Sequence, residues 1–225
     1  MDNFTIKRDL PVSRNLIGIL ARQKQERSSA AFYHLYNIRG IRKYLSKETT
    51  EILIHAFISS RVDYCNSLYY GLPAYQLMKL QRIQNVAARL VFQESKYCHI
   101  TPILCDLHWL PVKYRIDYKI LLLTFKAIRG LAPTYIQELI TIKQRSKYSL
   151  RSNNNGLLLM PPNCKTLATL GDRSFYSAAP RLWNSLPCCI RDCLFVNNFK
   201  NMIKTFFISE SFFLISNFLL LNFFF

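Results

Sequence analysis

Two stretches of the chain repeat an apolar residue every three or four positions, the spacing of one face of an α-helix. Each is opened by a proline, which suits a first helical turn because its missing N–H would have no partner there. In the first, Leu77, Leu80, Ile83, Ala87 and Leu90 make a stripe behind Pro73. In the second, Ile116, Ile120, Leu123 and Ala127 follow Pro111, and Gly130 and Pro133 end the run. A chain ruled by this period is expected to be mostly α.

The rest is read around these two helices. From Ser28 the spacing of Ala31, Leu35 and Ile38 is helical, and Gly40 is expected to stop it. Ser46 suits an N-cap, with Thr49, Ile52, Leu53, Ala56 and Phe57 sharing the inward face of the helix it opens. Arg61 to Tyr70 is a short segment closed by the turn Gly71-Leu-Pro73, and His99-Ile-Thr-Pro102 with Leu107-His-Trp-Leu-Pro111 reads as a connector. Leu157–Met160 and Thr166–Leu170 are candidate strands of one short β-hairpin. Asp172 is placed to cap a helix through Trp183, bent near Pro180. Phe199, Ile203 and Phe206 give a last short amphipathic helix with Lys200 and Lys204 on its wet side. The expected fold is an irregular helical domain over 28–208, with a poorly specified lead-in at 1–27 and a hydrophobic C-terminal tail at 209–225.

Charge narrows the function. There are 30 Lys+Arg against 13 Asp+Glu, a formal net charge of +17, and a field of that sign favours polyanions. Lys79, Arg82 and Arg89 gather opposite the first apolar stripe, and Arg115, Lys119 and Lys126 share a face of the second helix. Lys143, Arg145, Lys147 and Arg151 follow in a polar run that leads to Asn153-Asn-Asn-Gly156, read as a basic loop. Any one of these cations alone reads as part of an ordinary solvated face. Together, with so few acids beside them, they are candidate contacts to the phosphate backbone of RNA or DNA, salt-sensitive and blind to base sequence. Tyr114, Tyr118 and Tyr148 lie beside them and either stack bases or fill the core.

Catalytic chemistry is hard to find. Two-metal phosphoryl transfer needs converging carboxylates, but the acids are scattered; the closest pair, Glu48 and Glu51, fits first-turn charge on a helix. The six glycines form no phosphate-cradling loop. Cys98, His99, Cys105 and His108 are four soft ligands within one short segment, yet their spacing matches no zinc motif. One buried thiol, one buried histidine and two exposed groups is the simpler reading. Cys188, Cys189 and Cys193 have no histidine nearby. No catalytic residue, no metal ligand, no cofactor and no small-molecule substrate is expected. Seven cysteines, an odd number, and an N-terminus without an apolar leader fit reduced thiols in the nucleus or cytoplasm.

Specific strings add a resemblance. Ile41-Arg-Lys-Tyr-Leu45, Leu53-Ile-His-Ala-Phe57 and Arg61-Val-Asp-Tyr-Cys-Asn-Ser-Leu-Tyr-Tyr-Gly-Leu-Pro73 open the series. It continues through Leu80-Gln-Arg-Ile-Gln-Asn-Val-Ala-Ala-Arg-Leu90, His99-Ile-Thr-Pro102 and Leu107-His-Trp-Leu-Pro-Val-Lys-Tyr-Arg-Ile116. Phe125-Lys-Ala127, Gly130-Leu-Ala-Pro133, Gly171-Asp-Arg-Ser-Phe175, Ala178-Ala-Pro-Arg-Leu-Trp-Asn-Ser-Leu-Pro187 and Phe199-Lys200 close it. As a set they resemble the region downstream of the polymerase core in LINE-type (non-LTR) retrotransposon reverse transcriptases of the jockey kind. The resemblance implies a fragment of an RNA-directed DNA polymerase: a thumb-like extension that holds nucleic acid, without the family's paired-aspartate and endonuclease motifs. Beyond it, Phe206 to Phe225 holds one charge, Glu210. That tail reads either as translated flanking sequence or as a single membrane span with Lys200 and Lys204 on the cytoplasmic side. The rival functions are thus a membrane-associated basic protein and an inert relic of a mobile element.

Overall fold

The computed structural model describes residues 11–143, 156–161 and 173–221. The architecture is mostly α, as the apolar period requires. The backbone divides into two compact units, Met1–Val62 and Asp63–Phe225.

The first unit is built on α1 (Pro11–Ile41), followed by a 3-10 turn (Arg42–Tyr44) and α2 (Lys47–Ile54). Helix α1 begins inside the expected lead-in, with Pro11 in its first turn, and runs through Gly18 and Gly40. Its inward stripe is Ala31, Leu35 and Ile38. Ser46 caps α2 as expected, its Oγ accepting the Thr49 N–H at 3.2 Å. The expected inward face is wrong, however. Ile52 and Phe57 are exposed, and the buried positions are Thr50, Ile54, Ile58 and Val62, four residues apart. Two features cause this. Thr50 Oγ1 donates to the Ser46 carbonyl at 2.7 Å, so a residue that reads as polar is buried with its hydroxyl satisfied. The helix then passes through a π-turn (His55–Ser59), where Ser60 N–H reaches the His55 carbonyl and the wheel is reset. The unit boundary falls in α3 (Ser60–Asp63).

The second unit holds the two legible helices, α4 (Ala74–Phe92) and α6 (Val112–Ile128). Pro73 and Pro111 are their N-caps. Between them the expected connector contains a helix, α5 (Ile100–Asp106). Helix α4 is tied to the start of α6 through two amides. Gln84 donates to the Leu110 carbonyl at 2.8 Å, and Gln81 Oε1 accepts the Val112 N–H at 2.8 Å. The second bond satisfies a first-turn N–H that has no partner within its own helix.

All three helices end the same way, with one residue in the left-handed region and a long backbone bond closing over it. At α6 that residue is Gly130 (φ 69°), with Leu131 N–H on the Lys126 carbonyl at 2.8 Å. At α4 it is Gln93 (φ 58°), with Glu94 N–H on Arg89 at 3.0 Å; at α5 it is His108 (φ 53°), with Trp109 N–H on Leu104 at 2.9 Å.

After the short α7 (Thr134–Gln137), Ile142 and Leu158 form an antiparallel bridge, with Lys143 N–H on Leu157 at 2.9 Å and Leu159 N–H on Thr141 at 2.8 Å. The 157–160 segment thus pairs with 141–143; its expected partner, 166–170, lies outside the described residues. Helix α8 (Phe175–Ser185) opens at Ser174, with Ala178 N–H on the Ser174 carbonyl at 2.9 Å; Asp172, the expected cap, lies outside the described residues. Pro180 sits inside α8. After α9 (Cys188–Arg191), α10 runs from Val196 to Leu221, well past the short helix expected there. Its inward stripe is Phe199, Ile203 and Phe207, while Phe206 is half-buried. Among the described residues no helix is long and apolar enough to cross a membrane.

The core of this unit is aromatic. Phe125 stacks on Phe199 with ring centroids 4.1 Å apart, and Trp183 lies 5.8 Å from Phe199. Leu121, Leu158, Leu186, Ile190 and Ile203 close around them. The Trp183 indole N–H donates to the Gly156 carbonyl at 2.8 Å. Asn184 holds Leu158 by both backbone groups, accepting its N–H and donating to its carbonyl, each at 2.9 Å.

Candidate nucleic-acid interface

The ten cations singled out by spacing have three different fates. Lys79 and Arg82 stand exposed one turn apart on α4, and Lys119 is exposed on α6 with the half-buried Lys126 two turns further on. Lys143 is exposed beside the Ile142–Leu158 bridge. Lys79, Arg82, Lys119, Lys126 and Lys143 enter no salt bridge among the described residues. Long cationic side chains held on packed helices in this way can reach phosphate oxygens without moving the backbone.

Arg89 and Arg115 differ in that each guanidinium is engaged within the protein. Arg89 turns its guanidinium onto the Cys98 carbonyl, with Nη2 at 3.0 Å, and clamps the chain that leads into α5. Arg115 Nη1 lies 3.1 Å from both carboxylate oxygens of Asp63, with only 19% of its side chain exposed. Both are half-buried and use donors on partners within the protein. Arg145, Lys147 and Arg151 lie outside the described residues, as does Tyr148.

Tyr114 and Tyr118 are half-buried against the aromatic core, and Tyr114 lies 5.3 Å from Phe207. Burial raises the hydroxyl pKa of both. They fill space, the second of the two readings open from sequence. The acid beside them is unusual. Asp117 is buried, and loss of water pushes its carboxyl up to about 6; Lys113 opposes the shift and Glu210 adds to it.

The soft-ligand segment is also rearranged from its expected form. His99 and His108 are both exposed, and Cys98 and Cys105 are half-buried. His108 Nδ1 sits 2.9 Å from the Cys105 carbonyl, at the left-handed end of α5. Among the described residues no group of three or more His, Cys, Asp or Glu side chains is placed to hold a metal ion. A cavity of about 220 Å³ in this unit is lined by Ile128, Arg129, Ile142, Leu158, Trp183 and Arg191 among others, and by none of the ten cations.

Spacing passed over Arg129, whose guanidinium lies 5.5 Å from the Phe125 ring centroid and donates to the Cys193 carbonyl. It also passed over a set of exposed rings on α1: Phe32, Tyr33 and Tyr36. Their signal was available, since all three fall off the stripe of Ala31, Leu35 and Ile38. No family model, no curated protein and no solved structure matches the chain.

Proposed function

We propose that the chain is the C-terminal, thumb-like part of a non-LTR retrotransposon reverse transcriptase, and that it grips the phosphate backbone of RNA or DNA without catalysing any reaction. The observation that carries this reading is the imbalance at the surface of the second unit. Lys79, Arg82, Lys119 and Lys143 are exposed with no salt bridge among the described residues, while Asp63 is engaged by Arg115 and Asp117 is buried. Such an excess of cations attracts a polyanion, and it outweighs the exposed acids of the same unit, Glu94, Asp106, Glu138, Asp192 and Glu210. The strings that resemble the family support a parent protein of that kind. On this reading the chain works in the nucleus or cytoplasm, with no cofactor and no small-molecule substrate.

Charge neutralisation tests it. The variant Lys79→Gln, Arg82→Gln, Lys119→Gln, Lys126→Gln should keep its fold and bind labelled RNA and DNA at least about tenfold more weakly at low salt, equally for all base sequences. Unchanged affinity would remove the proposal. Primer extension with the purified chain, template and magnesium should yield no product.

A further inference from the structure

Helix α1 turns three rings to solvent within five residues. Phe32 is 48% exposed, Tyr33 64% and Tyr36 77%. They are held rather than loose. The opposite side of the helix is pinned by Ala31, Leu35 and Ile38, all buried. Between the rings, His34 stacks on Phe57 at 5.2 Å, which fixes this turn of α1 against the π-turn. At about 100° per residue, Phe32, Tyr36 and Arg39 fall within roughly 60° of one another, and Tyr33 borders them. Just past the helix, in the 3-10 turn, Lys43 Nζ lies 4.7 Å from the Tyr44 ring, itself 77% exposed. Arg39 and Lys43 are exposed, and no Asp or Glu occurs anywhere from Arg27 to Lys47.

We propose that this face of α1 is a stacking platform for single-stranded nucleic acid: Phe32, Tyr33 and Tyr36 receive unpaired bases, and Arg39 and Lys43 hold the adjoining phosphates. The proposal rests on the nucleic-acid reading above and extends it to a second surface with a different ligand preference. Rings and cations side by side are what a sequence-tolerant single-strand site needs, because every base offers a π-face and every nucleotide a phosphate. A duplex does not fit. Phe32 and Tyr36 are about 6 Å apart along the helix axis, wider than the roughly 3.4 Å rise of a paired strand, so the bases must already be separated to meet both rings. A second copy of the chain does not fit either, since it would bring a net +17 against a face that is itself basic.

The test compares the full chain with the variant Phe32→Leu, Tyr33→Leu, Tyr36→Leu, in which leucine keeps apolar bulk and helix propensity but has no ring. The probes are a labelled oligouridylate and a labelled duplex, each about twelve units long, with circular dichroism as the check on folding. Affinity for the single strand should fall about tenfold or more while duplex affinity stays within about twofold. In the unaltered chain, an oligonucleotide carrying 5-bromouridine should crosslink to the α1 peptide holding Tyr33 and Tyr36. The platform is overturned if the leucine variant binds the single strand as before, or if crosslinks map elsewhere. It is equally overturned if what the variant loses is self-association or binding to anionic vesicles. Wild-type protein that binds neither probe at low salt would sink the broader function as well. Wild-type binding that the leucine variant retains would sink the platform alone.

Discussion

The two units differ in whether aromatic residues fill their cores. The second unit has an aromatic core, with Phe125, Phe199 and Trp183 packed on one another and the half-buried Tyr114 and Tyr118 laid against them, and it exposes other rings such as Tyr64, Tyr97 and Phe195. In the first unit the buried stripe is aliphatic and small, and Phe32, Tyr33, Tyr36 and Tyr44 are outside. Rings in a core contribute stability through area and contacts; rings on a basic surface contribute recognition. The contrast shows that counting aromatics says little until it is known which stripe of the helix they occupy.

The sharpest way to break this comparison is to remove one ring from each side. Phe199→Ala should cost about 3–5 kcal/mol, because Phe199 is fully buried and meets both Phe125 and Trp183. Tyr36→Ala, at an exposed site, should stay within about 0.5 kcal/mol. Denaturant unfolding of the two variants measures both. A large loss from Tyr36→Ala would mean that its ring is part of the fold and not a platform.

A smaller effect lies in the buried acid of the second unit. The Asp117 carboxyl titrates near 6 in the folded chain, above its ordinary value of 3.8. A carboxyl raised on folding favours the protonated native state, so its stabilising contribution is complete below pH 3.8 and is lost as pH rises through about 6. Asp117→Asn should therefore be more stable than the wild type at pH 7.5, by about 3 kcal/mol from a shift of about two units. That advantage should shrink toward zero near pH 3.5. Unfolding free energy measured across this range checks it. A wild type whose stability is flat from pH 4 to 7 would show that Asp117 is solvated.

Least in size, but closest to function, is the contrast between paired and exposed cations. Arg115→Gln should lower stability by up to about 1 kcal/mol through loss of the partly exposed Asp63 pair, with little change in nucleic-acid affinity. Lys119→Gln should do the reverse, leaving stability alone and lowering the salt slope of binding by about one. Equal effects from the two would erase the distinction drawn between them.

How much of this was legible in the residues follows from range. The starts of α4 and α6 were marked by Pro73 and Pro111, and the end of α6 by Gly130, all local signals. The ends of α4 and α5 were not, because Gln93 and His108 adopt a left-handed backbone that sequence reading reserves for glycine. Thr50 hid the inward face of α2, since its satisfied hydroxyl cannot be seen in a one-dimensional pattern. Arg89 and Arg115 looked like members of basic stripes because their partners are nine and 52 residues away in the chain. The exposed rings of α1 were passed over because attention went to the apolar stripe beside them. With Ala31, Leu35 and Ile38 on the buried side, as their spacing implied, the rings face water.

The account depends on cations that face solvent on fixed helices and act through charge alone. The most direct measurement is the affinity of the intact chain for RNA across a salt series from about 50 to 200 mM. A straight, steep decline of log affinity with log salt, with the same slope for unrelated base sequences, is the predicted result. Affinity that does not change with salt, or a slope that depends on base sequence, would contradict it.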